Sequence, residues 1–118
     1  SATPPLAELA AALRSDAMAC LSAEDAAECR RRHTRILENL RDRGSDERVR
    51  RLKVDNAVVS KYILAPVHAS APWLHAAAGF DGAEIDGESG AAACLTAPVP
   101  EASGVLAALA ALEEAWPN

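Results

Sequence analysis

Aromatic side chains are scarce in this chain of 118 residues: Trp73, Trp116, Tyr62 and Phe80 are the full set. Aromatics normally supply much of a core's buried area, so this interior has to be assembled from Leu, Val, Ile and closely apposed Ala, which implies tight helix packing. Cations are missing from the second half. All twelve Lys and Arg lie between Arg14 and Lys61; the chain up to Lys61 also carries ten carboxylates, whereas the residues after Lys61 carry seven carboxylates and no cation. A net charge of −5 argues against the broad basic footprint that nucleic acids and anionic membranes require, and leaves room for a local basic patch facing an acidic partner. No apolar run approaches the ~18 residues that span a bilayer, and no charged segment precedes an apolar stretch at the start, so a soluble protein is expected. Cysteine is rare and odd in number. Cys20, Cys29 and Cys94 stand at spacings that fit no zinc or redox motif, and read as buried thiols of a reducing compartment rather than as a disulfide. There is no nucleophile elbow, Gly-rich phosphate loop or HExxH, so neither catalysis, a cofactor nor a metal is expected.

What is present is the composition of a globular domain, 50% apolar and 25% charged. The length fits one domain over residues 1–118, with residues 1–20 as a helical extension of a core of about 22–117. A start at Ser1 without Met suggests a piece of a longer protein. After Pro4 and Pro5, the residues Leu6, Leu9, Ala10 and Leu13 recur on one helical face, giving a helix that frays near Met18. Ser22 followed by Asp25 forms a start resembling a capping box. From there Cys29, His33, Ile36, Leu37 and Leu40 mark the stripe of a second helix that Gly44 closes in the left-handed conformation, and the two helices should pack antiparallel.

That helix contains CRRRHTR. Arg30, Arg31, Arg32 and Arg35 form either a nucleic-acid or phosphate contact or a solvated face paired with Glu24, Asp25, Glu28 and Glu38, and the acidic neighbours favour the second. His33 sits on the apolar stripe and reads as a satisfied core histidine. The segment VRRLKV, residues 49–54, alternates as a short strand does, with Leu52 on the buried side. Asn56 offers a side-chain oxygen to cap a helix from about Ala57 to Leu64, with Val58, Val59, Tyr62 and Ile63 as candidates for burial and Pro66 beyond its end. Ser70 caps a short helix, APWLHAAA, which Gly79 closes with Phe80 supplying the accompanying apolar contact. DGAEIDGESG, residues 81–90, has carboxylates but Ala83 and Ile85 at two positions where a calcium loop needs oxygen, so it reads as a solvated hairpin turn. AAACLTA is a short strand before Pro98. A final helix from Glu101 to about Trp116 places Val105, Leu106, Leu109, Leu112 and Trp116 on one face. His68 and His75 have no clustered carboxylate to orient them and read as rim residues.

From Val49 to Phe80 the order VRRLKVDNAVV, aliphatic helix, PV, short helix and GF resembles the PUB (PUG) domain of peptide:N-glycanase, the linear ubiquitin chain ligase and some UBX-type cofactors. The likeness continues through the Gly/acid turn, the strand before Pro98 and the last helix. It implies a compact α/β domain of the α+β kind, a helical bundle with a small antiparallel sheet on one side. It further implies a non-catalytic peptide-recognition module, cytoplasmic or nuclear and monomeric. Its partner would be the acidic, Leu-Tyr-containing C-terminal tail of the valosin-containing AAA ATPase, linking a parent protein to ubiquitin-dependent and ER-associated quality control. By position, Asn56 matches the pocket asparagine of the family, Lys53 the basic residue three earlier, Val58 an apolar pocket residue and Arg50 a family arginine.

The chemistry of these residues is apt on its own terms. An Asn amide can fasten to a peptide backbone, and Lys53 with Arg51 or Lys61 would attract carboxylates through charge-assisted hydrogen bonds. Val58, Val59 and Tyr62 could wall a slot for an apolar side chain. Arg50, Arg51, Lys53 and Lys61 surround Asn56 against a single nearby acid, Asp55. The competing expectation is a structural or dimerising helical module whose Ala/Leu faces pair with another chain.

Overall fold

The computed structural model describes residues 5–54, 56–66, 69–82 and 94–117. Helix α1 (Leu6–Cys20) buries Ala10, Leu13 and Ala17, which recur at intervals of three and four on one face. Helix α2 (Ala23–Arg43) starts where Ser22 accepts a hydrogen bond from the Asp25 N–H at 3.1 Å, the expected cap. Its buried stripe is Ala26, Cys29, Arg30, His33, Ile36, Leu37 and Leu40. Helix α3 (Ser70–Ala78) and helix α4 (Ala102–Ala115) complete the helical body. The α4 face is central: α1 packs on it most extensively, and α2 and α3 also rest against it. Fully buried Ala10 and Ala17 on α1 and Ala108 on α4 let these helices approach closely, so few aromatics suffice. Trp73, Phe80 and Trp116 fill the wider gaps.

Three short strands form an antiparallel sheet in the order β1 (Arg51–Lys53), β3 (Cys94–Thr96), β2 (Asp81–Gly82). Leu52 of β1 lies opposite Leu95 and is buried, while Arg51 and Lys53 on either side face outward. The fold is thus α+β, a helical bundle with a small antiparallel sheet. Its Cα radius of gyration of 13.7 Å is near the roughly 13–14 Å of a compact domain this long. No helix among the described residues is long and apolar enough to cross a membrane.

Several local expectations are corrected. Gly44 has φ −61° and ψ −20°, a right-handed conformation, so it is not a left-handed stop. Glycine is needed there for space, since a Cβ would lie 2.5 Å from the Leu40 carbonyl oxygen and 2.7 Å from Pro100 Cγ. The left-handed stop is at Gly79, with φ 79°, where the Gly79 N–H reaches the His75 carbonyl at 2.8 Å and the Phe80 N–H reaches that of Leu74 at 3.3 Å. Ser70 does not cap α3: Ala69 occupies the cap position, and Ser70 is the buried first residue of the helix.

The strand expected over 49–54 shortens to β1, because Asp46 caps a 3₁₀ turn, Glu47–Arg50, by accepting from the Arg48 N–H at 3.0 Å. The helix after Asn56 is π-type over Val59–Ile63, closed by Leu64 N–H to the Val59 carbonyl at 2.9 Å. In that wider turn Val59 and Ile63 are buried, Tyr62 is half-buried and Val58 is 37% exposed. Leu106, placed on the apolar face of α4 by its spacing, is 52% exposed, because Val105, Ala108 and Leu112 take the buried positions. Of the cysteines expected to be buried, Cys29 is, Cys20 is exposed and Cys94 is half-buried. Burial pushes the Cys29 thiol up to about 12, leaving it protonated and inert at neutral pH.

Candidate functional site

The chain around Asn56 is held by its own polar groups. The Asn56 N–H donates to the Lys53 carbonyl at 3.1 Å, and its Oδ1 accepts from the N–H groups of Val58 at 2.9 Å and Val59 at 3.3 Å. An N–H donor can only meet the amide oxygen, so this cap fixes the amide orientation. The Nδ2 group, with its two donors, is left for other use, and the residue is exposed.

Beside Asn56 lies a surface cavity of about 310 Å³ lined by Arg48, Arg51, Leu52, Lys53, Asn56 and Val59. Leu52 and Val59 give it an apolar floor, the Asn56 amide one wall, and the three cations the rest. Four of the residues singled out in the sequence therefore come together here: Lys53, Asn56, Arg51 and Val59. Arg48 and Leu52 were not among them. The signal for Arg48 was Asp46, two residues earlier, whose capping carboxylate turns the chain back on itself and brings Arg48 alongside β1.

The other four sequence candidates do not line this cavity. Arg50 is half-buried against the sheet edge, its Nη1 3.3 Å from the Ala97 carbonyl, and the Ala97 N–H returns a bond to the Arg50 carbonyl at 2.9 Å. Lys61 points to the start of α2, with Nζ 3.9 Å from Asp25 Oδ2 and 5.0 Å from the Tyr62 ring centroid. Tyr62 is its cation–π partner. Val58 projects outward.

The other sequence candidates resolve as follows. Arg31 and Arg32 both grip Glu28, the latter at 2.8 Å, and the hydrogen bond from Arg31 is the main cause that holds the Glu28 carboxyl below its usual range. Arg30 departs from the solvated-face reading. It is 6% exposed, donates from Nε to the Trp116 carbonyl at 2.7 Å, and pairs with Glu113. His33 is fully buried with Nε2 3.2 Å from the Ile63 carbonyl; Nε2 therefore carries the proton, and Nδ1 has no partner. Burial pushes its imidazole down to about 4, so the core histidine is neutral and only half satisfied.

His75 does have a carboxylate beside it, Asp81 Oδ1 at 3.0 Å from Nδ1, contrary to the sequence reading. Both side chains are largely exposed. His68 and the acidic turn from Ala83 to Gly90 lie outside the described residues. Among the described residues no group of three or more His, Cys, Asp or Glu could hold a metal ion. Comparison of the chain with protein-family models, with curated proteins and with solved structures gives no match.

Proposed function

We propose that this chain is a PUB-like peptide-recognition module, without catalytic activity of its own. Its ligand would be the acidic, Leu-Tyr-containing C-terminal tail of the valosin-containing AAA ATPase, which would tether a parent protein to ubiquitin-dependent quality control in the cytoplasm. The observation that carries this reading is the cavity in which the Asn56 amide stands beside Lys53, Arg48 and Arg51 above an apolar floor. The sequence of elements supports it too: a long helix, a short strand, an Asn-capped turn, a helix closed by Gly-Phe, a strand and a last helix. In this arrangement Nδ2 of Asn56 donates to a peptide carbonyl, the cations take the ligand's carboxylates, and Leu52 and Val59 receive its apolar side chain. A short peptide held this way binds at micromolar strength, about −7 to −9 kcal/mol.

The test is fluorescence anisotropy with a labelled acidic Leu-Tyr tail peptide. Asn56→Ala removes the cap as well as the donor, so the sharper variant is Asn56→Ser, which keeps a neutral capping oxygen for the Val58 and Val59 N–H groups and loses the amide donors. We expect the variant to keep its far-UV circular dichroism and to bind at least about tenfold more weakly. Unchanged affinity in the folded variant would remove Asn56 from the site.

A further inference from the structure

The trough beside Asn56 continues past Arg48. A second cavity of about 390 Å³ is lined by Ile36, Asn39, Arg43, Asp46, Arg48, Val49, Arg51 and Leu52, so Arg48, Arg51 and Leu52 wall both lobes. Arg43 lines only this second lobe, and its Nη2 donates to Asn39 Oδ1 at 3.1 Å. Among the described residues Asp46 is the one acid lining either lobe, and it is committed to Arg48: Nε donates to Oδ1 at 3.1 Å and Nη2 to Oδ2 at 2.9 Å. That two-pronged contact is the one a carboxylate of a bound peptide would make with the same guanidinium. The Arg48 side chain is 89% exposed, and exposed ion pairs of this kind are weak, so exchanging one carboxylate for another is easy. Hydrogen bonding to Arg48, first from its side chain, pulls the Asp46 carboxyl down to about 2, so it is charged at any physiological pH.

We infer that the trough takes a peptide with two separated acidic positions, the second lodged between Arg43 and Arg48, and that Asp46 is an internal competitor which this second carboxylate displaces. The inference rests on the acidic-peptide reading above. It makes Asp46 a specificity-determining residue: it sets how much a ligand gains from an acid beyond the Asn56 lobe. Singly acidic ligands leave the Asp46–Arg48 pair in place and gain nothing from that lobe.

Two labelled peptides separate the possibilities, a short one with a single acid beside Leu-Tyr and a longer one with further acids upstream. Asp46→Asn preserves an acceptor for the Arg48 N–H and removes the charge. It should tighten the longer peptide about three- to tenfold and the short one less than about twofold. Asp42→Asn makes the same charge change at an exposed acid paired with Arg41, outside both lobes, and should shift neither peptide more than about twofold. Arg43→Gln, at an exposed position, should erase the advantage of the longer peptide. Equal gains for both peptides, or equal effects of Asp46→Asn and Asp42→Asn, would overturn the inference while leaving the Asn56 site intact. Displacement of the longer peptide by a short oligonucleotide as readily as by unlabelled peptide would also overturn it. Failure of both peptides to bind, to wild-type and Asp46→Asn protein alike, would overturn both readings.

Discussion

Two arginine-rich stretches of this chain meet opposite fates. Along α2, Arg30, Arg31 and Arg32 are consumed within the fold: the first fastens the end of α4 through the Trp116 carbonyl and Glu113, and the others share Glu28. Between Arg43 and Lys53, Arg43, Arg48, Arg51 and Lys53 line a trough whose one acid among the described residues is Asp46. The first stretch is denser in sequence, yet the second has the features of a binding surface. Density of charge is a poor guide: the α2 arginines also border a concavity, of about 420 Å³, but Glu28 and Glu38 line it beside them, whereas the cavity beside Asn56 joins its cations to a free amide and an apolar floor.

The comparison can be pressed hardest through His33, inside the first stretch. Its folded pKa, near 4, lies below the ordinary value near 6.5, so the unfolded chain binds the proton first. His33 thus makes stability fall as pH drops from about 6.5 towards 4, by about 3 kcal/mol, with its contribution complete above 6.5. Urea unfolding at stepped pH should show that loss, and a flat profile would contradict the buried, neutral assignment. Arg30→Met comes next. It strips the Trp116 carbonyl of its donor and should cost about 2 kcal/mol in urea unfolding, while peptide affinity stays within about twofold.

In the second stretch the order reverses. Lys53→Glu should leave the urea midpoint nearly unchanged and weaken the acidic peptide by about tenfold, with a smaller effect at high salt. The smallest effect belongs to Arg31→Gln, an exposed arm of the Glu28 pair: stability should move by no more than about 0.5 kcal/mol and peptide affinity not at all. A loss of peptide binding on changing Arg31 would erase the distinction between the two stretches.

Local rules account for what was legible in the sequence. The Ser22 cap, the α2 stripe, the Asn56 cap and the Gly79–Phe80 stop are each determined by residues within a few positions of one another, and each was readable. Lys53, Asn56, Arg51 and Val59 fell within one short segment, so their meeting was readable too. Several misreadings have a tertiary cause. Arg30 is buried because Glu113 and Trp116 arrive from more than eighty residues away, and Gly44 has Pro100 as well as the Leu40 carbonyl where a Cβ would lie. The π-type turn shifted Val58 outward and left Val59 and Ile63 to the core, a period that ordinary helical spacing does not anticipate. The second lobe was invisible because Asn39 and Arg43 come from α2 and Arg48 from a turn that folds back towards it.

The most direct test of the central claim is an amide NMR titration of the protein with the acidic Leu-Tyr tail peptide. The account predicts saturable shift changes concentrated at Arg48, Arg51, Leu52, Lys53, Asn56 and Val59, with Arg31, Arg32 and Arg35 unmoved. Changes centred on Arg31 to Arg35, or none at any residue of the trough at saturating peptide, would contradict it.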